Sequence, residues 1–176
     1  MLNRWKIALG LGVALGITAS IASAATPGVV RSGARSDKAQ IEALEARLAA
    51  GFNAKDVAKI MSCYARDELF VFDVAPPRQH VGWQDYQKDW ESLFGGITGP
   101  VTFKISDLDV TAAGSVAYSH SIQDVHWSAA GAAGVEITVR VTDVYRKMAG
   151  AWRIVQEHVS VPVDLGTGKG DLMSKP

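Results

Sequence analysis

The sequence predicts an α+β domain, with helices in its first half and an antiparallel meander in its second. Ile41, Leu44, Leu48 and Phe52 recur at helical spacing. Beyond Pro100 the apolar period changes from 3.6 to 2, and breaks at Ala113-Gly114, Ala130–Gly134 and Ala149-Gly150 cut that half into successive strands.

At 176 residues, 48% hydrophobic and 20% charged, with 18 basic against 18 acidic side chains, the composition excludes a disordered chain and a polybasic nucleic-acid binder. Arg4 and Lys6, an apolar run from Ile7 to Ile21 and then Ala22-Ser23-Ala24 have the three-part layout of a secretory signal peptide over 1–24. The run is shorter than the ~20 residues of a spanning helix, so cleavage is expected, with no membrane contact afterwards. The expected location is the periplasm or the medium. Cys63 is the one cysteine, so no internal disulfide supports the fold and the core must do so.

Residues 25–36 lack an apolar period and read as a flexible lead, and the domain is expected over 37–164. Helix one should start at Ser36 or Asp37 and stop near Gly51. A short second helix carries Val57, Ile60, Met61 and Tyr64 on one face. The run Leu69-Phe70-Val71-Phe72 reads as a strand ending in Asp73. After Pro76-Pro77, the series Trp83, Tyr86, Trp90 and Leu93 marks a third helix that stops at Gly95-Gly96. Four strands follow, at about 101–111, 115–127, 135–147 and 151–163. The tail 165–176 is expected to be loose. Its Gly168-Lys169-Gly170 lacks the Ser or Thr of a phosphate loop, and no cofactor is expected.

A turn at Met148-Ala149-Gly150 would pair residues of the last two strands whose numbers sum to 298. One face then holds Ile137, Val139, Val141, Asp143 and Tyr145 with Arg153, Val155, Glu157, Val159 and Val161, and it should face the helices. Arg140, Arg146, Trp152 and His158 fall on the other. A carboxylate on an apolar face must be paired, protonated or beside a wet cavity. Asp143 and Glu157 are therefore candidate catalytic groups, and a one-residue slip would instead put both outside.

His120 alternates with Val116, Tyr118 and Ile122 and is expected inside, as a pocket group or a core histidine. Asp73 is either a turn cap or a carboxylate at a cavity mouth. Tyr64, Tyr86, Trp90 and Val159 are candidate ligand contacts, with plain core packing as the alternative. No metal site is expected, because Asp124 and His126 lack an evident third ligand and His120 lies ~20 Å of strand from His126.

The segments Phe52-Asn53-Ala54-Lys55-Asp56, Tyr64-Ala65 and Thr142–Lys147 with Gly150–Ser160 resemble the nuclear transport factor 2-like superfamily, in its SnoaL-like, polyketide cyclase-like bacterial branch. The resemblance implies a conical fold, in which a curved antiparallel sheet wraps helices around a pocket, and homodimers formed through the sheet. It also implies a pocket lined from Asp73, Tyr86, His120 and Asp143. The superfamily includes isomerases, dehydratases, hydrolases, cyclases and non-catalytic association domains. The tyrosine and protonated-aspartate pair of its steroid isomerases cannot be placed in this sequence. Two functions follow as expectations. One is an exported protein binding a small organic ligand, acting as a cofactor-independent isomerase, dehydratase or hydrolase. The other is a non-catalytic dimeric binding or assembly module using Arg140, Arg146, Trp152 and His158.

Overall fold

The computed structural model describes residues 27–128 and 134–174. The expected signal peptide at 1–24 lies outside the described residues. Among those described, no helix is long and apolar enough to cross a membrane. The elements run α1 (Pro27–Ala54), α2 (Val57–Met61), β1 (Phe70–Phe72), β2 (His80–Val81), α3 (Trp83–Gly96), β3 (Val101–Ala113), β4 (Val116–Trp127), β5 (Val135–Met148) and β6 (Ala151–Ser160).

The six strands form one sheet in the order β2-β1-β6-β5-β4-β3, in which only the β1–β6 pair is parallel. Three helices and a curved, largely antiparallel sheet make the α+β domain that the periodicity predicts and the cone that the resemblance implies. α1 lies against the sheet through Ile41, Leu44, Leu48 and Phe52, all buried. Its end is tied to β3 by Asn53, whose Nδ2 donates to the Phe103 carbonyl at 3.0 Å and whose Oδ1 accepts from the Phe103 N–H at 2.7 Å. Such a two-way bond satisfies the first backbone groups of the strand.

Several element ends differ from the sequence reading, among them that of β6, which stops at Ser160 and not near 163. α1 includes residues 27–36, read as a flexible lead, because extending an existing helix costs far less than starting one. It also runs past Gly51, which is kept inside the helix by packing: a Cβ there would lie 2.9 Å from Ile60 Cγ1 of α2. The tail is not loose over its described part. Val163 bridges Gly170, and the Thr138 N–H donates to the Leu172 carbonyl at 2.8 Å, which lays the tail along β5.

The β5–β6 register also differs. The turn is the two-residue Ala149-Gly150, with φ of 48° and 83°, as the favoured hairpin turn requires. Pairing therefore starts at Met148↔Ala151 and reaches Tyr145↔Ile154. The ladder then shifts by one residue, so that Val144 faces Gln156 and Asp143 faces Glu157. This β-bulge leaves Val155 unpaired and lets even-numbered Trp152 and Ile154 and odd-numbered Glu157 all point inward. Trp152 is thus buried, not on the outer face, and its Nε1 donates to Asp37 Oδ1 at 3.2 Å. Arg146 does not stack on it but pairs with Glu68 at 2.7 Å.

Candidate functional site

Glu157 stands where three strands and two helices converge. β6 carries it inward, 5% exposed, between Val71 of β1 and Asp143 of β5. The segment after α2 adds Tyr64, held beside β6 by paired backbone bonds between Cys63, Ala65 and Ile154 at 2.8–2.9 Å. α3 adds Tyr86. The Tyr64 hydroxyl donates to Glu157 Oε2 and the Tyr86 hydroxyl to Oε1, each at 2.7 Å. Their rings meet edge to face at 5.3 Å, so each tyrosine fixes the other.

Burial pushes the Glu157 carboxyl up to about 7, with the charge of Asp73 adding to the rise and the two tyrosine hydroxyls opposing it. Burial and the nearby Glu157 charge push both tyrosine hydroxyls well above their ordinary range, so they remain donors.

Behind Glu157 lies a second layer of polar groups. Asp143 is 1% exposed, and its Oδ1 has no hydrogen-bond partner among the described residues. Tyr145 donates to Glu45 Oε1 at 2.8 Å, and its hydroxyl lies 2.7 Å from Ser119 Oγ and 3.5 Å from Asp143 Oδ2. Glu45 is 2% exposed and is pushed up to about 7, chiefly by burial. Burial, then the charges of Glu45 and Glu157, hold Asp143 well above the ordinary carboxylate range. Asp143 and Glu157 face each other across the ladder, so charge on either one disfavours charge on the other.

In front of Glu157 is a cavity of about 460 Å³. Its floor is Tyr64, Tyr86 and Glu157, its walls are mainly apolar, with Phe52, Trp90 and Phe103 among them, and its rim includes the exposed Val74, Ala75 and Leu172. Phe52 stacks on Phe103 at 4.5 Å and meets Trp90 edge-on at 5.2 Å, which makes that wall rigid. A mostly apolar cavity with a few convergent polar groups is the usual form of a small-molecule site.

Of the residues singled out in the sequence, Tyr64, Asp73, Tyr86, Trp90, Glu157 and Val159 line this cavity. Asp73 also serves as a turn cap, its Oδ1 accepting from the N–H groups of Val74 at 2.6 Å and Ala75 at 3.3 Å. Asp143 does not line the cavity and lies behind Glu157. His120 is misplaced by the sequence reading. Cross-strand partners share a face, and Ser119 pairs with buried Asp143 while His120 pairs with exposed Thr142. The inner face of β4 is therefore Ala117, Ser119, Ser121, Gln123 and Val125, and His120 is exposed on the outer one.

The sequence reading missed Glu45, although it sits one helical turn from both Ile41 and Leu48 and so on the buried stripe. It also missed His80 and Asp89. His80 is buried beside Tyr86, with ring centroids 5.3 Å apart, and Asp89 lines the cavity, its carboxyl raised mainly by burial. Neither stands in a recognisable motif.

The SnoaL-like domain family matches residues 41–164. Among solved structures, a nuclear transport factor 2-like protein of unknown function from Pseudomonas putida KT2440 is 30% identical, covering 81% of this chain and 98% of that one, with a TM-score of 0.73. A candidate dehydratase of the same superfamily from Streptomyces avermitilis shares the fold at 14% identity, covering 72% and 96%, with a TM-score of 0.63. A ketosteroid isomerase-like protein from Erwinia carotovora atroseptica does so at 20% identity, covering 69% and 93%, with a TM-score of 0.59. Comparison with curated proteins yields no match. The family match spans most of the chain and the fold is the one these structures share, so this protein belongs to the SnoaL-like domain family of the nuclear transport factor 2-like superfamily.

Proposed function

We propose that this protein binds a small, partly apolar organic molecule in the cavity and transforms it by proton transfer through Glu157, in an isomerisation, dehydration or hydrolysis. One observation carries the reading: a buried carboxyl poised near neutrality, with tyrosine hydroxyls on both of its oxygens, forms the floor of a mainly apolar cavity. A general base works best with a pKa near the working pH. Glu157 takes a proton from the substrate and returns it to the new position or to the leaving oxygen. Tyr64 or Tyr86 turns its O–H to the substrate oxygen on which negative charge develops, while the other tyrosine keeps its bond to Glu157. The fold shared with a candidate dehydratase and an isomerase-like protein is consistent with this class of chemistry.

The signal-like segment at 1–24 supports export to the periplasm or beyond, and exposed Val116 and Tyr118, the latter 52% exposed, on the outer sheet face support a homodimer through that face. These apolar side chains are also what favours the rival assembly reading, from which Trp152 has dropped out.

The test is a thermal-stability screen of the purified protein against small organic acids, ketones, sterols and epoxides. A saturable shift that Trp90→Ala removes is expected, followed by a turnover assay in which Glu157→Gln loses at least ~100-fold. Absence of any saturable shift across the screen overturns the reading in favour of an assembly module.

A further inference from the structure

Two side chains of the cavity wall, Asp73 and Asp89, meet a third from behind it, His80. Asp73 follows β1, His80 opens β2 and Asp89 lies midway along α3, and one ligand atom from each falls within 4.8 Å of the other two. His80 is 3% exposed, and its Nδ1 is fully buried with no hydrogen-bond partner among the described residues. Nδ1 is buried 3.3 Å from Asp85 Oδ2 but without the alignment of a hydrogen bond, and Nε2 is 3.9 Å from Asp89 Oδ2, too far for one. A buried imidazole whose Nδ1 is unpaired and whose Nε2 lies near Asp89 without bonding it leaves place for a partner that the described residues do not provide.

We propose that Asp73, His80 and Asp89 bind a divalent transition-metal cation on the wall of the cavity. One imidazole and two carboxylates are the ligand types such ions take, and the two negative charges balance the charge of the cation. With bonds of ~2.0–2.2 Å, neighbouring ligand atoms around such an ion stand ~3–3.6 Å apart. The observed spacing closes to that by rotation of the two carboxylates, both of which are partly exposed. Asp85, beside Nδ1, is placed as the outer carboxylate that orients a ligating histidine and directs Nε2 to the metal. Asp73 is steadied through its other role, since one of its oxygens caps the turn.

Asp73 and Asp89 both line the cavity, so the coordination positions not taken by protein face the bound molecule. The class of ligand that uses them carries a carboxylate or carbonyl oxygen within reach of the Tyr86 and Glu157 floor. The sequence conceals this site because its ligands, separated by seven and nine residues and drawn from two strand ends and a helix, match no metal-binding spacing.

The experiment is calorimetric titration of chelator-treated protein with Zn²⁺, paired with the visible spectrum of added Co²⁺. One Zn²⁺ per chain is expected, with Co²⁺ displaced by Zn²⁺ and a rise in melting temperature that saturates with metal. His80→Gln and Asp89→Asn should each weaken binding at least ~10-fold, whereas His120→Gln on the outer face should leave it unchanged. Asp89 is partly exposed, so Asp89→Asn keeps the test valid if His80→Gln does not fold. Absence of saturable binding, or full-strength binding in Asp89→Asn, overturns the proposal. In that case His80 serves only as a buried partner of Asp85 and Asp89. Either result leaves the organic-ligand screen to stand or fall separately, because that screen reads the cavity without added metal.

Discussion

Asp143 and Glu157 face each other directly across the β5–β6 ladder, and both are buried. Two carboxyls in such a position cannot both ionise cheaply, so one retains a proton and the other titrates. The direction is set by surroundings: Glu157 receives two tyrosine hydroxyls, whereas Asp143 faces the charges of both Glu45 and Glu157.

Stability should fall as pH rises from about 4.5 to about 7. Glu45 and Glu157 are raised to about 7 in the fold from an ordinary 4.5, so between those values the folded chain holds more protons than the unfolded one. Their effect is most favourable below pH 4.5 and is lost on passing about 7. At ~1.4 kcal/mol per pKa unit the loss is on the order of 3 kcal/mol for Glu157. Asp37, Asp164 and Asp171 shift the other way, and their contribution fades only below about 3.8, outside this window. Thermal melts from pH 4.5 to 8 check the sign, and a melting temperature that climbs through this range contradicts it.

Tyr86→Phe should move the Glu157 titration upward from about 7, because it removes a hydrogen bond that favours the charged form. A shift of roughly one unit is expected. A ¹³C titration of the Glu157 carboxyl reads it without a substrate. An unchanged midpoint would mean that the hydroxyl contributes nothing to the acidity of the site.

Asp143→Asn should fold with a stability within about 1 kcal/mol of the parent at pH 7, since the amide keeps nearly the same volume and removes a carboxyl whose charge burial disfavours. Asp143→Ala removes the polar group beside Tyr145 and leaves a small hole, at about 2–3 kcal/mol. Urea unfolding of the two variants separates these outcomes. Equal losses would show that a polar group at position 143 is not what matters there.

Trp152→Ala should cost about 3–5 kcal/mol, the range for a large buried aromatic, and should not act by weakening an exposed subunit contact. The unfolding midpoint in urea measures it. A stable Trp152→Ala protein that changes only its sedimentation would restore Trp152 to the outer face.

His120→Ala should change stability by less than about 0.5 kcal/mol and leave ligand binding intact, because the side chain is exposed on the face opposite the cavity. Loss of binding in this variant would place the cavity on the wrong side of the sheet.

The sequence by itself determined the α+β class, the presence of three helices, the positions of β3, β4 and β5 and the inward direction of β5. Those properties follow from local periodicity, since Ile41 to Phe52 and Ile137 to Tyr145 repeat at the spacing their elements require. Tertiary structure decided which residues meet. Val155 adds one unpaired residue, and that bulge carries Trp152 inward while keeping Glu157 opposite Asp143. Pairing with β5 turns Ser119 in and His120 out, against the order that side-chain bulk suggests. Glu45, Tyr145 and Ser119 come together from α1, β5 and β4, and Asp73, His80 and Asp89 from β1, β2 and α3. Periodicity reports the direction of a side chain within its own element. A register shift, a neighbour across the sheet and a shared proton are properties of pairs, and pairs are set only when the chain closes on itself.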